Sequence, residues 1–261
     1  HITDEIKRTL YTLNRPETDV VVCEIGGVVG DIENHPYLEA IRQCRGELGK
    51  GNAVYIHVTY VPVIEMSGEH KTKPTQNSVK ELQNIGIQPD IIVCRSDYAL
   101  DDAAKKKLSL FCNVERSGII ESVTTDNLYQ VPLRLHEQNF EGVALNKLKM
   151  DEREPKLDDW RDMCARAEAA QHSVKKLRIA IVGKYVEKIT AYQSIIDAVT
   201  TAGLLKNEAV EISLVNSADV ENDSTVLDGY DGILIASGFG VRGFDGKIAA
   251  AKYAREKDVP C

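Results

Sequence analysis

The chain has 261 residues, a formal net charge of -8 at pH 7 and hydrophobic residues at 43% of its positions. This acidic balance argues against general binding to nucleic acid or to anionic membranes, although a local basic cluster can still bind phosphate. The sequence contains no apolar run long enough to cross a bilayer and no secretory-type leader pattern. We therefore expect a cytoplasmic protein that is long enough to form two hydrophobic cores.

Predicted strands and helices alternate along the chain. Apolar, β-branched runs predict strands at 19–25, 53–61, 90–94, 177–182, 209–215 and 232–236. Amphipathic stretches between them predict helices at 37–48, 76–85, 101–111, 191–202 and 247–254. Continuous apolar strands that alternate with helices are typical of parallel sheets covered on both faces. We expect an α/β fold with two parallel-sheet, three-layer domains.

A charged segment separates the two series of strands. It lacks a strand-like run, and residues 157–170 predict a polar helix with Trp160 as its one large anchor. The apolar run at 177–182 then begins a new series. We predict a first domain over residues 1–144, a linker over 145–176 and a second domain over 177–261.

An acidic loop, residues 24–33, follows the first predicted strand. It contains Glu24, Asp31 and Glu33, and its glycines let the backbone approach a ligand closely. Ligands of open α/β sheets bind at the carboxyl ends of the strands, so the position favours a site for a metal-bound nucleotide. The alternative is a turn whose acids cap the next helix.

A basic loop, residues 68–76, precedes the helix predicted at 76–85. Lysines act as point charges for phosphate, and the start of a helix favours anions. The alternative is a solvated basic turn. The segment 46–51 is the nearest match to a Walker A loop, but it lacks the glycine spacing and the Ser or Thr after the lysine, so we interpret it as a turn.

Cysteines and histidines give no sign of a zinc-type site. The six cysteines are dispersed, and the six histidines form no HxxxH or HExxH pattern. Cys23, Cys94 and Cys112 lie inside apolar stretches, so we expect them to be buried free thiols. The chain opens on His1 rather than methionine and stops soon after a predicted helix, which favours a fragment.

Several blocks of sequence, in order, resemble the CTP synthase family. They are EIGGVVGDIE at 24–33, GEHKTKPTQNSVKEL at 68–82, IGIQPDIIVCRS at 85–96, LFCNV at 110–114, VGKY at 182–185 and GFGVRG at 238–243. The resemblance implies the later part of a P-loop NTPase-like synthetase domain, then the first part of a flavodoxin-like class I glutamine amidotransferase domain. The family's phosphate-binding loop would precede His1, and its nucleophilic cysteine would follow Cys261.

The resemblance also implies an activity. Enzymes of the family use ATP to phosphorylate the 4-oxygen of UTP. Ammonia from glutamine then attacks the carbon that bears this oxygen, phosphate leaves and CTP is formed. Magnesium neutralises the charge of the phosphates, and GTP activates the enzyme. The family forms homotetramers that can stack into filaments. As a fragment, this chain alone would not catalyse the conversion of UTP to CTP. The alternative function is a non-catalytic nucleotide-binding or filament-assembly form with impaired glutaminase.

The resemblance also implies which residues form the site, most of them in the matched blocks. Glu24 would bind magnesium, and Arg95 would bind ATP. The residues expected at UTP or CTP are Asp31, Glu33, Lys71, Thr72, Lys73, Thr75, Gln76 and Lys107. Lys107 follows two further lysines, and which of Lys105, Lys106 and Lys107 faces the nucleotide stays open.

The matched part of the second domain offers one catalytic candidate, Gly238, whose loop would form an oxyanion hole through backbone N–H groups. Two departures from the family pattern bear on it. Ala236 and Ser237 stand where the family usually has Pro-Gly, so Ser237 would be strained if the loop needs a positive φ there. Gln193 stands where the family usually has lysine, and the loss of that cation would alter coupling between the domains or activation by GTP.

Overall fold

A computed structural model describes residues 1–64, 66, 68–238 and 240–261 of the chain. Phe239, in the last of the matched blocks, therefore lies outside the described residues. The chain divides into two compact units, His1–Leu157 and Asp158–Cys261. Each unit contains a three-stranded parallel sheet, which confirms the predicted α/β class with parallel sheets.

The first unit has six α-helices and five strands among the described residues. The helices are α1 Ile2–Tyr11, α2 His35–Leu48, α3 Lys73–Asn84, α4 Asp102–Cys112, α5 Gln130–Glu137 and α6 Phe140–Lys147. The strands are β1 Ile56–Tyr60, β2 Val63–Ile64, β3 Glu69–His70, β4 Ile91–Ser96 and β5 Ile119–Val123. The parallel sheet has the order β1-β4-β5, and β2 and β3 form a separate antiparallel hairpin.

The sheet of the first unit is covered by helices on both faces. On one face, Ile92 of β4 lies in a fully buried cluster with Val79 of α3 and Leu108 of α4. On the other face, Val93 packs against Phe140 of α6. Successive β4 residues point to opposite faces, so the continuous apolar run in this strand buries side chains on both sides.

The prediction of a strand at 19–25 is wrong. In the structure this segment has no strand pairing among the described residues, and the side chain of Val22 is 89% exposed. Strand β1 is an edge of the sheet, and in the described part of the chain only β4 pairs with it. A β-branched run supplies strand propensity, but a strand also needs a neighbour to complete its hydrogen bonds.

Strand β5 and helices α1, α5 and α6 were not predicted. Strand β5 begins with only two aliphatic residues, Ile119 and Ile120, before Glu121. This run is too short for the periodicity criterion, and it is recruited by parallel pairing with β4.

The second unit has four α-helices and three strands among the described residues. The helices are α7 Asp158–Gln171, α8 Gln193–Leu205, α9 Ser217–Asn222 and α10 Phe244–Lys257, and the strands are β6 Leu177–Gly183, β7 Val210–Asn216 and β8 Gly232–Ile235. The strand order is β7-β6-β8. The chain therefore passes from β6 to β7 on one side of β6, and then from β7 to β8 on the other side of β6. This reversal creates a switch point at the carboxyl end of β6.

The predicted domain boundaries stay predictions, although the division between the units falls at 157/158, within the predicted linker. Among the described residues, no helix combines the length and the apolar composition that crossing a bilayer requires.

Candidate functional site

The basic loop joins the hairpin β2–β3 to helix α3. The backbone N–H of Lys71 donates to the carbonyl oxygen of Pro62 at 2.8 Å, which fixes the chain as it leaves β3. The Lys71 ammonium pairs with Glu69 at 2.8 Å, and both side chains are about half exposed. The loop thus holds its backbone in place while one lysine remains accessible at its surface.

The first turn of α3 buries polar side chains. Thr72, Thr75 and Gln76 are 7%, 0% and 7% exposed. The amide nitrogen of Gln76 donates to Thr72 Oγ1 at 3.0 Å, and the Thr75 hydroxyl lies 3.2 Å from that of Thr59 in β1. These contacts anchor the helix start on the sheet, whereas Lys73 in the same turn is exposed.

The start of α3 is also electrostatically positive. Pro74 lies in its first turn, where the missing N–H costs no helical hydrogen bond. The first N–H groups of a helix have no intrahelical partner and favour anions, as do the two lysines of the loop. The arrangement is suited to phosphate.

Two of the three consecutive lysines on helix α4 lie in different surroundings. Lys105 pairs with Glu121 at 3.3 Å, and both side chains are only about one fifth exposed. Lys107 is exposed and acts on Glu69, whose pKa is lowered chiefly by its hydrogen bond with Lys71 and further by the charges of Lys71 and Lys107. Of these two lysines, Lys107 is the one that faces the basic loop.

Sequence reasoning missed Phe111. It lies four residues after Lys107, hence on the same face of α4, and it is 56% exposed. An exposed aromatic ring one turn from a lysine is suited to stack against a flat base. The signal was present in the LFCNV block, but a hydrophobic residue in an amphipathic helix is ordinarily read as core.

The acidic loop is held by its own turn. Asp31 Oδ2 accepts from the N–H of Val28 at 3.0 Å, and the amide of Asn34 donates to the Val28 carbonyl at 3.2 Å. Gly27 has φ +81°, and a Cβ there would lie 2.5 Å from the Asn34 side chain, so glycine is required. Asp31 therefore stabilises the turn itself, but it does not cap the following helical turn, because its side chain makes no capping hydrogen bond there.

Within the described residues, no hydrogen bond or ion pair joins the acidic loop to the basic loop. Val29 packs against a cluster that contains Leu82, near the end of α3 opposite to the basic loop. Nine residues of helix separate Leu82 from Lys73, about 14 Å along the axis. The structure thus brings Glu69, Lys71 and Lys107 together, while Glu24 and Glu33 remain exposed on a separate loop.

Arg95 is part of strand β4 rather than a residue just past it. It is exposed and lies beside Tyr60 of β1 in the sheet register. The hydroxyls of Tyr60 and Thr124 donate to Asp97 at 2.5 and 2.9 Å. These two bonds are the main cause of the lowered pKa of Asp97, and the charge of Arg95 contributes less. A guanidinium at this carboxyl edge is available to an anionic ligand.

The donor chemistry is compatible with magnesium. In the described part of the chain, no group of three or more His, Cys, Asp or Glu side chains is arranged to hold a metal ion. Magnesium bound to nucleotides, however, usually takes one or two protein carboxylates and completes its shell with phosphate and water. Glu24, an exposed carboxylate, fits that role as a single protein ligand.

The crevice of the second unit lies between the carboxyl ends of β6 and β8. A Cβ at Gly238 would lie 3.1 Å from Lys184 and 3.2 Å from Lys247. The buried hydroxyl of Tyr192 accepts the backbone N–H groups of Lys184 and Tyr185 at 3.0 and 3.1 Å, which fixes the loop after β6. Two lysines therefore flank the predicted oxyanion-hole loop.

The two departures from the family pattern have local explanations. Ser237 does not have a positive φ, so the condition under which it would be strained does not hold. In the same loop, Gly240 and Gly243 have positive φ instead. Gln193 donates to Asp197 at 2.8 Å within α8.

The cysteines are free thiols. Cys94 and Cys112 are fully buried, as predicted, and burial raises their pKa to about 12 and about 11. Cys23 is exposed, so its predicted burial is wrong. It belongs to the segment at 19–25, which does not join the sheet.

Comparison with known proteins agrees with the matched blocks. The model of the CTP synthase N-terminus family matches residues 1–150. The chain is 47% identical to the CTP synthase of Nitratidesulfovibrio vulgaris, over all of this chain and 47% of that protein. It is 49% identical to the CTP synthase of Nostoc punctiforme and 48% identical to that of Pyrococcus furiosus, over all of this chain and 48% of each relative.

The chain spans about half the length of these curated relatives. The family match covers more than half of its residues, including both loops and α4. By this match, the chain belongs to the CTP synthase N-terminus family.

Proposed function

We propose that this chain is part of an enzyme that aminates UTP to CTP, with ATP as phosphoryl donor and glutamine as the source of ammonia. Relatives named CTP synthase, which match the whole chain, support this reaction. The chain would supply the later part of the synthetase domain and the first part of the amidotransferase domain.

The cationic surface around Glu69 carries the proposal. Lys71 and Lys107 come from different elements and both act on this one carboxylate. The start of α3, with exposed Lys73, lies directly after Lys71. Ammonium groups and free helix N–H groups are what a triphosphate needs. The triphosphate of bound UTP would replace Glu69 as the ion-pair partner of Lys71.

The remaining residues have distinct proposed roles. Lys71, Lys73 and Lys107 would neutralise the phosphates of UTP or CTP, and Arg95 would grip a phosphate of ATP or stack on adenine. Thr72, Thr75 and Gln76 would act through the helix start that they anchor. Asp31 and Glu33 would accept from the sugar or the base.

Magnesium, held by Glu24 and phosphate oxygens, would supply charge neutralisation when bound. The uracil 4-oxygen is a poor leaving group until it is phosphorylated, so the chain's cations have to position UTP for that transfer. Phe111 would help by stacking on the base one turn from Lys107.

The finer architecture is also proposed. The first unit would be a P-loop NTPase-like domain over residues 1–144, followed by a linker over 145–176. The second would be a flavodoxin-like class I glutamine amidotransferase domain from residue 177. The order β7-β6-β8 supports this, because flavodoxin-like sheets begin with the order 2-1-3. Gly238, after β8, would then contribute to the oxyanion hole.

We extend the proposal to a cytoplasmic homotetramer that stacks into filaments and is activated by GTP. Lys184 and Lys247, which flank Gly238, supply positive charge at the crevice of the second unit. Gln193 supplies no positive charge on α8, because its side chain is a neutral amide bonded to Asp197.

Calorimetry tests the nucleotide site directly. The chain would be titrated with UTP and with CTP in the presence of magnesium, as wild type, as Lys71→Ala and as Lys80→Ala. Loss of a charge-assisted hydrogen bond is expected to weaken binding by about tenfold to a hundredfold in Lys71→Ala. Lys80 is an exposed lysine on α3, the helix that follows the basic loop, and serves as the control.

Equal affinities of wild type and Lys71→Ala would remove the basic loop from the pocket. An equal loss in Lys80→Ala would mean that only overall charge matters. Because a pocket shared between protomers binds only as well as the assembly forms, the titrations would be repeated at several protein concentrations.

A further inference from the structure

His70 is a buried histidine directly before Lys71. Its side chain is only 6% exposed. Its Nδ1 lies 3.8 Å from Asp101 Oδ2, beyond hydrogen-bond distance, and has no other hydrogen-bond partner. Its Nε2 lies 3.4 Å from the carbonyl oxygen of Tyr98. The imidazole therefore bridges the hairpin β2–β3 and the segment that leads into α4.

Both neighbours of the ring can only accept hydrogen bonds. A neutral imidazole has one N–H and can satisfy either the Asp101 carboxylate or the Tyr98 carbonyl, but not both. An imidazolium has two N–H groups and can donate to both. Since a buried polar atom without a partner is costly, protonation would favour closer approach of His70 to Asp101.

We infer that His70 is a positioning residue whose proton controls the placement of the basic loop. Protonated, it ties β3 to the start of α4, and this fixes Lys71 relative to Lys107 on the same helix. When His70 is neutral, its single N–H can donate to only one of the two acceptors, so the link between β3 and α4 is incomplete. The inference rests on the proposed function only where nucleotide binding is the readout, because the tie itself is a property of the free chain.

The charged groups around His70 are mixed in sign. Asp101 faces it from the start of α4, where one carboxylate oxygen already accepts from the N–H of Ala104 at 2.6 Å. Glu69 and Lys71 flank it in sequence, and Lys107 reaches Glu69 from α4. Asp101 is held as a helix cap, so closure requires movement of the hairpin rather than of the carboxylate.

Amide hydrogen exchange tests the tie without any ligand. Exchange of residues 69–71 would be measured at pH 6 and pH 8, corrected for the intrinsic rate, in wild type, His70→Gln and Asp101→Asn. Asparagine keeps the helix cap and removes the charge. His172→Gln is the control, because His172 is exposed in the second unit.

In wild type and His172→Gln, the protection factors of the amides of residues 69–71 are expected to be at least threefold higher at pH 6 than at pH 8. Neither His70→Gln nor Asp101→Asn should show this difference. The same protection ratio in His70→Gln as in wild type would overturn the inference. If Asp101→Asn kept the full difference, the carboxylate would not be the partner and the inference would likewise fail.

Nucleotide affinity then tests the coupling to the site. One linked proton changes affinity by at most about tenfold per pH unit, and we expect about threefold to tenfold tighter magnesium-UTP binding at pH 6 than at pH 8. The phosphates of UTP titrate as well, so the quantity compared is the excess over His70→Gln in the same buffers.

The two arms separate the inference from the proposed function. If magnesium-UTP binds and wild type has no excess over His70→Gln, the inference is overturned and the nucleotide site stands. If the exchange difference is present but no nucleotide binds at either pH, the tie is supported and the proposed function fails.

Discussion

The acidic and basic loops are both short, charged, glycine-containing turns, yet they are held in different ways. The basic loop is tied to the hairpin through Lys71 and to β1 through Thr75, which is fully buried. The acidic loop is closed by bonds within its own turn, around Val28, and the apolar segment before it stays exposed. Charged residues that are proposed for the same class of ligand therefore have very different structural support.

This difference has a functional meaning under the proposed reaction. A preorganised cationic loop binds phosphate without a large ordering cost, whereas an acidic loop without sheet support would be ordered by its ligand. Substitutions in and under the basic loop should therefore change both stability and binding. Substitutions in the acidic loop should leave stability nearly unchanged.

The largest effect is expected from a matched pair of valine substitutions. Val79 on α3 is fully buried, whereas Val22 before the acidic loop is 89% exposed. Val79→Ala should lower the free energy of unfolding by about 2 to 3 kcal/mol, through lost burial and a small cavity. Val22→Ala should change it by less than about 0.5 kcal/mol. Urea unfolding measures both, and similar losses would mean that residues 19–25 are packed in solution.

The next effect concerns the lysines of α4. Lys107→Ala should weaken magnesium-UTP binding by about tenfold, because this lysine faces the basic loop. Lys106→Ala is the neighbouring control and should change affinity by less than about twofold. Calorimetry at one fixed salt concentration checks the pair, and a larger loss in Lys106→Ala would reverse the assignment.

A smaller effect is an acid sensitivity of the support beneath the basic loop. His57 in β1 hydrogen-bonds Ser78 of α3 at 3.0 Å, and burial lowers its pKa. Above about pH 6.5 the residue is neutral in both states; as the pH falls below this, the unfolded chain binds the proton first and stability is lost.

Wild type should therefore lose more stability than His57→Gln between pH 7 and pH 5.5, by at most about 1 kcal/mol for one linked proton. Urea unfolding at each pH measures this difference, with His172→Gln as the control. Parallel pH profiles for wild type and His57→Gln would show that burial of this imidazole does not contribute.

The smallest effect is expected in the acidic loop. Asp31→Ala removes the acceptor of the Val28 N–H and should cost about 0.5 to 1 kcal/mol. Glu33→Ala, in the same loop but five residues from Val28 and in an exposed position, should cost less than about 0.5 kcal/mol. A cost above about 2 kcal/mol for Asp31→Ala in urea unfolding would indicate that this loop is as firmly held as the basic loop.

The sequence by itself determined the α/β class, five of the strands, and the helices α2, α3, α4, α8 and α10. These elements carry long apolar runs or clear amphipathic periods, so local pattern and tertiary packing agree. The ordered blocks also identified the family. Lys71 and Lys107 were singled out as nucleotide ligands because they match lysines of the family that the sequence resembles.

Only the tertiary structure decided which of these patterns found partners. The run at 19–25 has the composition of a strand but no neighbour in the described sheet, while the short β5 became a strand because β4 pairs with it. Lys105 turned inward to Glu121, and His70 was buried between two acceptors. Strand pairing, ion pairing and burial depend on residues distant in sequence, which is why local pattern could not reveal them.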